Sequence, residues 1–363
     1  VADALCLLGD VDVTMVGTRR GLEMRVVPVR GYRLELLDVE PIKGGGALQA
    51  LRGALAAVRS MRTAFALVRR LAPKVVLSVG GYAAGPVALA AALRGIPVTV
   101  FEPNRTVGLT NRILAPLARR AYVSWAETGE SFLRGTVRVV GVPLRPGFVP
   151  SLYTAQGTYK VLIMGGSQGA AALNERLPQA MAQVARHLPS LEILHQAGRD
   201  RDNSVRRAYE REGVGRVTVV PFLDDVSSEI TCSDLVVARA GAATVAEISA
   251  IGRASLLVPF PYAANDHQRA NARALQDAGG ALCLDQTQAD SSRLAHEILE
   301  LLKHDARRTN MADAARAHGR PAAAHDVAVD LLRLAGLDPD IPVAMNGGRK
   351  KAARIRKPRR EVN

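Results

Sequence analysis

The residues of this chain that could do chemistry gather in turns where a short apolar run gives way to glycine. At Tyr159–Met164 (YKVLIM) such a run enters Gly165-Gly166-Ser167-Gln168-Gly169, and a helix is predicted to begin near Ala170. Glycine lets a ligand come close to the main chain, and the unpaired N–H groups at a helix start favour a phosphate. Ser167 and Gln168 add side-chain donors at the same point; without a ligand the stretch is an ordinary glycine-rich turn. A second turn, Arg239–Glu247 (RAGAATVAE), follows Asp234–Ala238. Its small residues Gly241, Ala242 and Ala243 leave the main chain accessible, Thr244 is placed to cap the next helix, and Glu247 is expected in that helix's first turn. The Glu247 carboxylate either complements the helix dipole or accepts from the paired hydroxyls of a sugar. Two phosphate-type turns within one domain point to a nucleotide at the carboxyl ends of the strands.

Pro259–Ala272 (PFPYAANDHQRANA) should end a further strand and place Asp266, His267 and Gln268 at the same sheet edge. Gln268 either binds sugar hydroxyls or belongs to a loop-to-helix cap with His267 exposed. In the first half, Gly80-Gly81-Tyr82-Ala83-Ala84-Gly85-Pro86 follows Lys74–Val79 and is another glycine turn suited to phosphate, with Phe101-Glu102-Pro103-Asn104 ending the next run beside it. Neither a metal nor a cofactor is expected. Cys6, Cys232 and Cys283 form no CxxC pair, which also fits a reducing compartment. The Asp-x-Asp pairs fall before a strand (Asp10, Asp12) and near the tail (Asp338, Asp340).

The elements that must position these residues alternate between strand and helix. Val11–Val16, Lys74–Val79, Pro97–Phe101, Tyr159–Met164, Leu191–His195, Arg216–Val220 and Asp234–Ala238 read as buried strands, and most are followed by Ala/Leu/Arg-rich helical sequence. Such βα units build parallel sheets, and the class is α/β. Gly141–Thr158 is rich in Gly, Pro and Ser without sustained periodicity, so two Rossmann-like, doubly wound domains are expected to face each other across a cleft. The expected divisions are 1–147 for the first domain, 148–158 for the linker, 159–324 for the second domain, 325–342 for a C-terminal helix and 343–363 for a basic, disordered tail. With 363 residues, 48% hydrophobic and 23% charged, the body of the chain can build two cores and is not disordered. The net charge of +14 is concentrated in Gly348–Arg360 (GRKKAARIRKPRR), which has eight basic residues and no acid. That tail lacks aromatics for base stacking, so no nucleic acid is expected, and a polybasic segment suits anionic lipid. No apolar run approaches the ~18 residues that span a bilayer. The opening VADALCLLGD lacks the basic start of a signal peptide.

Taken together, the motifs resemble the MurG family of GT-B transferases over nearly the whole chain. Matching segments are VGTRRGLE (Val16–Glu23), GGYAAGP (Gly80–Pro86), GLTNR (Gly108–Arg112), GVPLR (Gly141–Arg145), MGGSQGA (Met164–Ala170), RAGAATVAE (Arg239–Glu247) and DHQRANA (Asp266–Ala272). The resemblance implies a GT-B fold and inverting transfer of GlcNAc from UDP-GlcNAc to lipid I, giving lipid II for peptidoglycan. It implies that Ser167 and Gln168 meet the diphosphate and sugar, that Ala242, Ala243, Thr244, Val245 and Ala246 line the phosphate turn, and that Glu247 holds the ribose diol. Leu223 would offer main-chain contacts to uracil and Gln268 would read GlcNAc hydroxyls. Asn104 and Arg145 would reach the nucleotide-sugar from across the cleft, and Gly80, Gly81, Tyr82, Gly85 and Pro86 would serve the acceptor.

Two departures from the family bear on catalysis. Its opening strand, GGTGGH loop and histidine do not appear in the sequence, which starts at what resembles the end of the following helix. These parts are expected to be encoded before Val1, and their absence would leave a gap in the first sheet. The family's HEQN reads Phe101-Glu102-Pro103-Asn104 here, so the catalytic base is unassigned, with Glu102 the remaining candidate. The alternatives are a non-catalytic relative that binds UDP-sugar only, and another GT-B glycolipid glycosyltransferase. The expected location is the cytoplasmic face of the cell membrane, held peripherally on anionic lipid, with other cell-wall synthesis proteins as further partners. The helix Leu48–Leu71 is the expected contact, with an apolar stripe (Leu48, Leu51, Leu55, Val58, Met61, Phe65, Val68) beside Arg52, Arg59, Arg62 and Arg69. The competing reading of that helix is a core-packed element with a solvated basic face.

Overall fold

The computed structural model describes residues 1–19, 21–37, 47–81, 83–155, 157, 159–166 and 169–339, with residues 47–58 described as helix backbone only. The first part of the chain runs α1 (Ala2–Leu8), β1 (Thr14–Gly17), α2 (Glu23–Val29), β2 (Arg33–Leu36), α3 (Ala47–Leu71), β3 (Val76–Ser78), α4 (Ala84–Leu93), β4 (Val98–Glu102), α5 (Leu109–Leu114), β5 (Ala118–Val123) and β6 (Val137–Val139). The second runs β7 (Tyr159–Met164), α6 (Ala171–His187), β8 (Leu191–Gln196), α7 (Asp202–Arg211), β9 (Val217–Val220), α8 (Val226–Thr231), β10 (Leu235–Ala238), α9 (Ala242–Ile251), β11 (Ser255–Leu257), α10 (His267–Asp277), β12 (Leu282–Cys283), α11 (Ser291–Lys303), α12 (Asp305–His318) and α13 (Ala323–Leu334).

Every strand pair is parallel. In the second domain the order is β9-β8-β7-β10-β11-β12. This is the doubly wound arrangement in which the order reverses beside the first strand, so β7 and β10 flank the switch point. Both faces of that sheet are covered, which is why its strands read as unbroken apolar runs. Val161 and Ile163 pack with Leu173, Leu177 and Met181 of α6, while Leu162 and Met164 pack with Ile248 of α9 and Leu275 of α10. In the first domain β1-β2 and β3-β4-β5-β6 form separate sheets among the described residues.

The C-terminal helix returns to the first domain. Val327 and Leu331 of α13 pack against Phe101, Tyr122 and Val140, and its Asp330 accepts from the Tyr122 hydroxyl at 2.8 Å and the Arg120 Nε at 3.1 Å. The chain therefore crosses between domains twice, and the stacked rings of Trp125 and His318, centroids 4.4 Å apart, mark the seam. The linker is not loose. Arg253 donates to the Ser151 carbonyl at 3.0 Å, and the Tyr153 hydroxyl, placed between Arg308 and Asp234, donates to Asp234 at 2.7 Å.

One expectation is corrected on α3. In its described half Ala64, Leu67 and Val68 are buried, and Met61 and Phe65 pack against the same core. That part of the apolar stripe faces inward, and Arg59, Arg62 and Arg69 face solvent. Leu48, Leu51, Arg52, Leu55 and Val58 have side chains outside the described residues.

Candidate active site

The turns after β7 and β10 sit side by side at the switch point. Gly166 and Gly169 adopt φ of +78° and +72°, and Gly165 donates to the Gln196 carbonyl at 3.3 Å. A Cβ on Gly169 would lie 2.2 Å from the Ala197 carbonyl oxygen, so the turn is pressed onto the end of β8 and only glycine fits. Ser167 and Gln168 lie outside the described residues.

At the other turn, α9 starts at Ala242 with Gly241 as N-cap, and no side chain caps it. Thr244 thus does not cap the helix as expected; it belongs to the first turn. Glu247 lies in the second turn rather than the first. Its side chain is 16% exposed and its Oε1 is 3.8 Å from an Arg145 Nη2, so the end of the first domain and the second domain meet at this carboxylate. Burial pushes the Glu247 carboxyl above its ordinary value, and Arg145 offsets part of that rise. Arg145 also lies over the Phe148 ring. Ala242, Ala243, Thr244 and Ala246 remain partly or fully exposed along the start of the helix, and Val245 is buried. Leu223 buries its side chain with Trp125 and Phe148, which leaves its main chain as the part a base could touch.

The loop from Pro259 to α10 closes the second domain's edge. Arg239 donates to the Val258 and Pro259 carbonyls at 2.9 and 3.1 Å and to Gln286 Oε1 at 2.6 Å, and burial pulls its guanidinium down to about 10. Gln268 accepts from the Phe260 N–H at 3.0 Å, so its oxygen holds the loop and its amide N–H groups are the part that can read a ligand. His267 Nδ1 sits 2.6 Å from the Ala264 carbonyl.

Across the cleft, Glu102 is only 3% exposed. Its Oε1 accepts from the Asn104 N–H and Nδ2, both at 3.2 Å, and its Oε2 accepts from Gly108 N–H at 2.9 Å and Asn111 Nδ2 at 3.1 Å. A carboxylate holding four donors is an anchor for the loop, and this geometry corrects its candidacy as the base. Asn104 is committed as well: its Oδ1 accepts from Asn271 Nδ2 at 3.2 Å, and Asn271 Oδ1 accepts from the Arg105 N–H at 2.9 Å. The turn at Gly80 hangs on the same cluster, since Gly80 donates to Ser78 Oγ, which donates to Asn111 Oδ1. Gly80 and Gly81 hold φ of +83° and +86°, Gly85 packs beside Thr110, Pro86 lies in the first turn of α4, and Tyr82 lies outside the described residues. Asn111, Asn271 and Arg239 were within quoted motifs but given no role. The signal was an amide or guanidinium at a position the helix or strand buries.

Two parallel-sheet α/β domains, with glycine turns at the carboxyl ends of their strands, define a fold suited to nucleotide-sugars. Comparison agrees: the Glycosyltransferase family 28 N-terminal domain matches residues 2–123 and the Glycosyltransferase family 28 C-terminal domain matches residues 160–327. The chain is 48% identical over 325 residues to the UDP-N-acetylglucosamine–N-acetylmuramyl-(pentapeptide) pyrophosphoryl-undecaprenol N-acetylglucosamine transferase of Sorangium cellulosum, covering 89% of this chain and 80% of that one. It is 40% identical to the enzyme of that name from Myxococcus xanthus, over 88% of this chain and 85% of the relative. The crystal structure of Acinetobacter baumannii MurG superposes with a TM-score of 0.77 at 32% identity, covering 89% of this chain and 91% of that one. The chain belongs to the MurG family of glycosyltransferases.

Proposed function

We infer that this protein transfers GlcNAc from UDP-GlcNAc to the muramyl sugar of lipid I, forming lipid II for peptidoglycan. The observation that carries the reading is the placement of Glu247. A partly buried carboxylate without a hydrogen-bond donor among the described residues stands in the second turn of α9, the helix that follows β10 at the sheet's switch point, with Arg145 beside it. Such a group suits a ribose diol, with the diphosphate at the N–H groups of α9 and of the Gly165–Gly169 turn. Arg145, 3.8 Å from Glu247, is placed to neutralise the leaving UDP. The acceptor hydroxyl attacks the anomeric carbon as the bond to UDP breaks, and its proton passes to a general base. Glu102 supports that reaction by fixing the acceptor-side loop. Calorimetry tests the reading: UDP-GlcNAc should bind more tightly than UDP-glucose, and no difference between them would count against it.

The lipid-linked acceptor calls for contact with a bilayer, and no described helix is long and apolar enough to cross one. The surface that supports contact is α5 and the turn after it. Leu109, Ile113 and Leu117 are 68%, 65% and 44% exposed, Arg112 and Arg119 flank them, and Thr110 bonds the Gly81 carbonyl of the acceptor turn. Apolar residues ringed by arginine suit an anionic leaflet, each charge adding roughly 1 kcal/mol near the surface. In protein lacking the basic tail 343–363, which could bind the same lipid, Ile113→Asp with Arg112→Gln should abolish cosedimentation with anionic vesicles while UDP-GlcNAc affinity holds. Retained cosedimentation would remove α5 as the contact.

A further inference from the structure

Asn271, on α10, has no exposed surface, and both hydrogens of its amide are in use. Its Oδ1 accepts from the Arg105 N–H at 2.9 Å, and its Nδ2 donates to Asn104 Oδ1 at 3.2 Å and to the Ala240 carbonyl at 3.3 Å. Two of these partners lie in the first domain and one in the turn after β10, so a single buried amide ties the domains together. The direction of every bond is fixed. A main-chain N–H can only donate and a carbonyl can only accept, which sets the Asn271 oxygen toward Arg105 and its nitrogen toward Ala240. The atom of Asn104 that meets this nitrogen must then be its oxygen. The Asn104 nitrogen falls to Glu102, whose carboxylate accepts at 3.2 Å. Asn271 and Glu102 thus hold Asn104 by opposite ends of its amide. The Thr128 hydroxyl steadies the same loop by donating to the Arg105 carbonyl at 2.8 Å.

Asn104 is partly buried, and it is the first-domain amide expected to reach the nucleotide-sugar. Gln268, the second-domain amide expected there, lies three residues before Asn271 and so neighbours it on α10. The two amides are prepared alike: each has its oxygen held inside the protein, Asn104 by Asn271 and Gln268 by the Phe260 N–H at 3.0 Å. One helix therefore carries one of these amides and secures the other from across the cleft. Without Asn271, Asn104 is held at one end only, and its amide can turn to other rotamers. We propose that Asn271 is a positioning residue that orients Asn104 toward the donor's sugar, so that amides from both domains meet one sugar through α10. The proposal rests on the donor site assigned above and on Asn104 reaching that sugar.

Calorimetry with UDP and UDP-GlcNAc separates this role from general damage, because UDP has no sugar beyond its ribose. Asn104→Ala should weaken UDP-GlcNAc by roughly fivefold, the effect of losing about one neutral hydrogen bond, and leave UDP within about twofold. Asn271→Ala should give the same pattern. Because Asn271 acts through Asn104, the double variant should stay near fivefold, whereas independent effects would multiply to roughly 25-fold. Asn271→Asp keeps the shape of the side chain and an acceptor for Arg105, but its carboxylate cannot donate to Asn104. It should weaken UDP-GlcNAc as alanine does, and it carries the test if Asn271→Ala does not fold. Equal losses for UDP and UDP-GlcNAc in the Asn271 variants, no loss for UDP-GlcNAc, or a multiplied loss in the double variant would overturn the proposal. Wild-type affinity for UDP-GlcNAc in Asn104→Ala would instead refute the placement of Asn104 at the sugar, on which the proposal rests.

Discussion

Glu247→Ala should weaken UDP binding through the ribose and through nothing else. In the ligand-free chain the carboxylate's ionic partner is Arg145 at 3.8 Å, too far for a hydrogen bond, so both oxygens are available to a diol. Hydrogen bonds to a charged group contribute about 1.5–3 kcal/mol, and part is lost to removing water from an already buried carboxylate. A net loss of about 1–3 kcal/mol follows, or roughly 5- to 150-fold in Kd. Calorimetry with UDP and 2′-deoxy-UDP isolates the contact. The wild-type protein should prefer UDP, and Glu247→Ala should bind the two alike. A variant that keeps the wild-type preference would refute the assignment. Stability should move the other way. Because burial raises this carboxyl's pKa, the folded state holds a proton that the unfolded state has released, and stability falls as pH rises through that window. Glu247→Gln should therefore raise the ligand-free melting temperature at neutral pH, with the gain vanishing in acid.

Three further outcomes follow from the geometry. Gln268→Ala should weaken UDP-GlcNAc but leave UDP nearly unchanged, since its oxygen is held by Phe260 while its amide N–H groups have no partner among the described residues and are proposed to meet the sugar; equal losses in calorimetry would contradict this. Glu102→Gln sets an amino group among four donors, and urea denaturation should show a loss of about 2–3 kcal/mol, whereas unchanged stability with lost turnover would return Glu102 to the role of base. His195 has an ordinary value of 6.5 and a folded value of about 3, so the unfolded chain binds more protons between them and stability falls as pH drops below 6.5. Between pH 7 and 5 the wild-type protein should lose about 2 kcal/mol more than His195→Gln; parallel urea midpoints for the two would contradict it.

The second domain was legible in its sequence because its strands are buried on both faces. Tyr159–Met164 was read with its limits intact, and Leu235–Ala238 to within one residue. β5 escaped notice because Arg119 and Arg120 interrupt its apolar pattern; Arg120 is tolerated there by Asp330 from the far end of the chain, a pairing no local window contains. β2, β6, β11 and β12 are two to four residues long, too short to show a period. The apolar stripe of α3 was visible, but its direction was not, since a core-facing and a bilayer-facing stripe have the same spacing. Likewise the motif around Glu102 marked a functional loop, whereas its four donors come from Asn104, Gly108 and Asn111 and become apparent only on folding.

The most direct test of the account is transfer itself. The protein, incubated with UDP-GlcNAc radiolabelled in the sugar and a lipid I analogue with a shortened polyprenyl chain, should yield a lipid-linked disaccharide. The label should appear in a β-linked GlcNAc, with one UDP released per sugar moved, and Glu247→Ala should slow the reaction most at low donor concentration. Donor that binds with the expected dependence on Glu247 while all label stays in UDP-GlcNAc, with or without the acceptor, would contradict the assignment of this chain as the transferase.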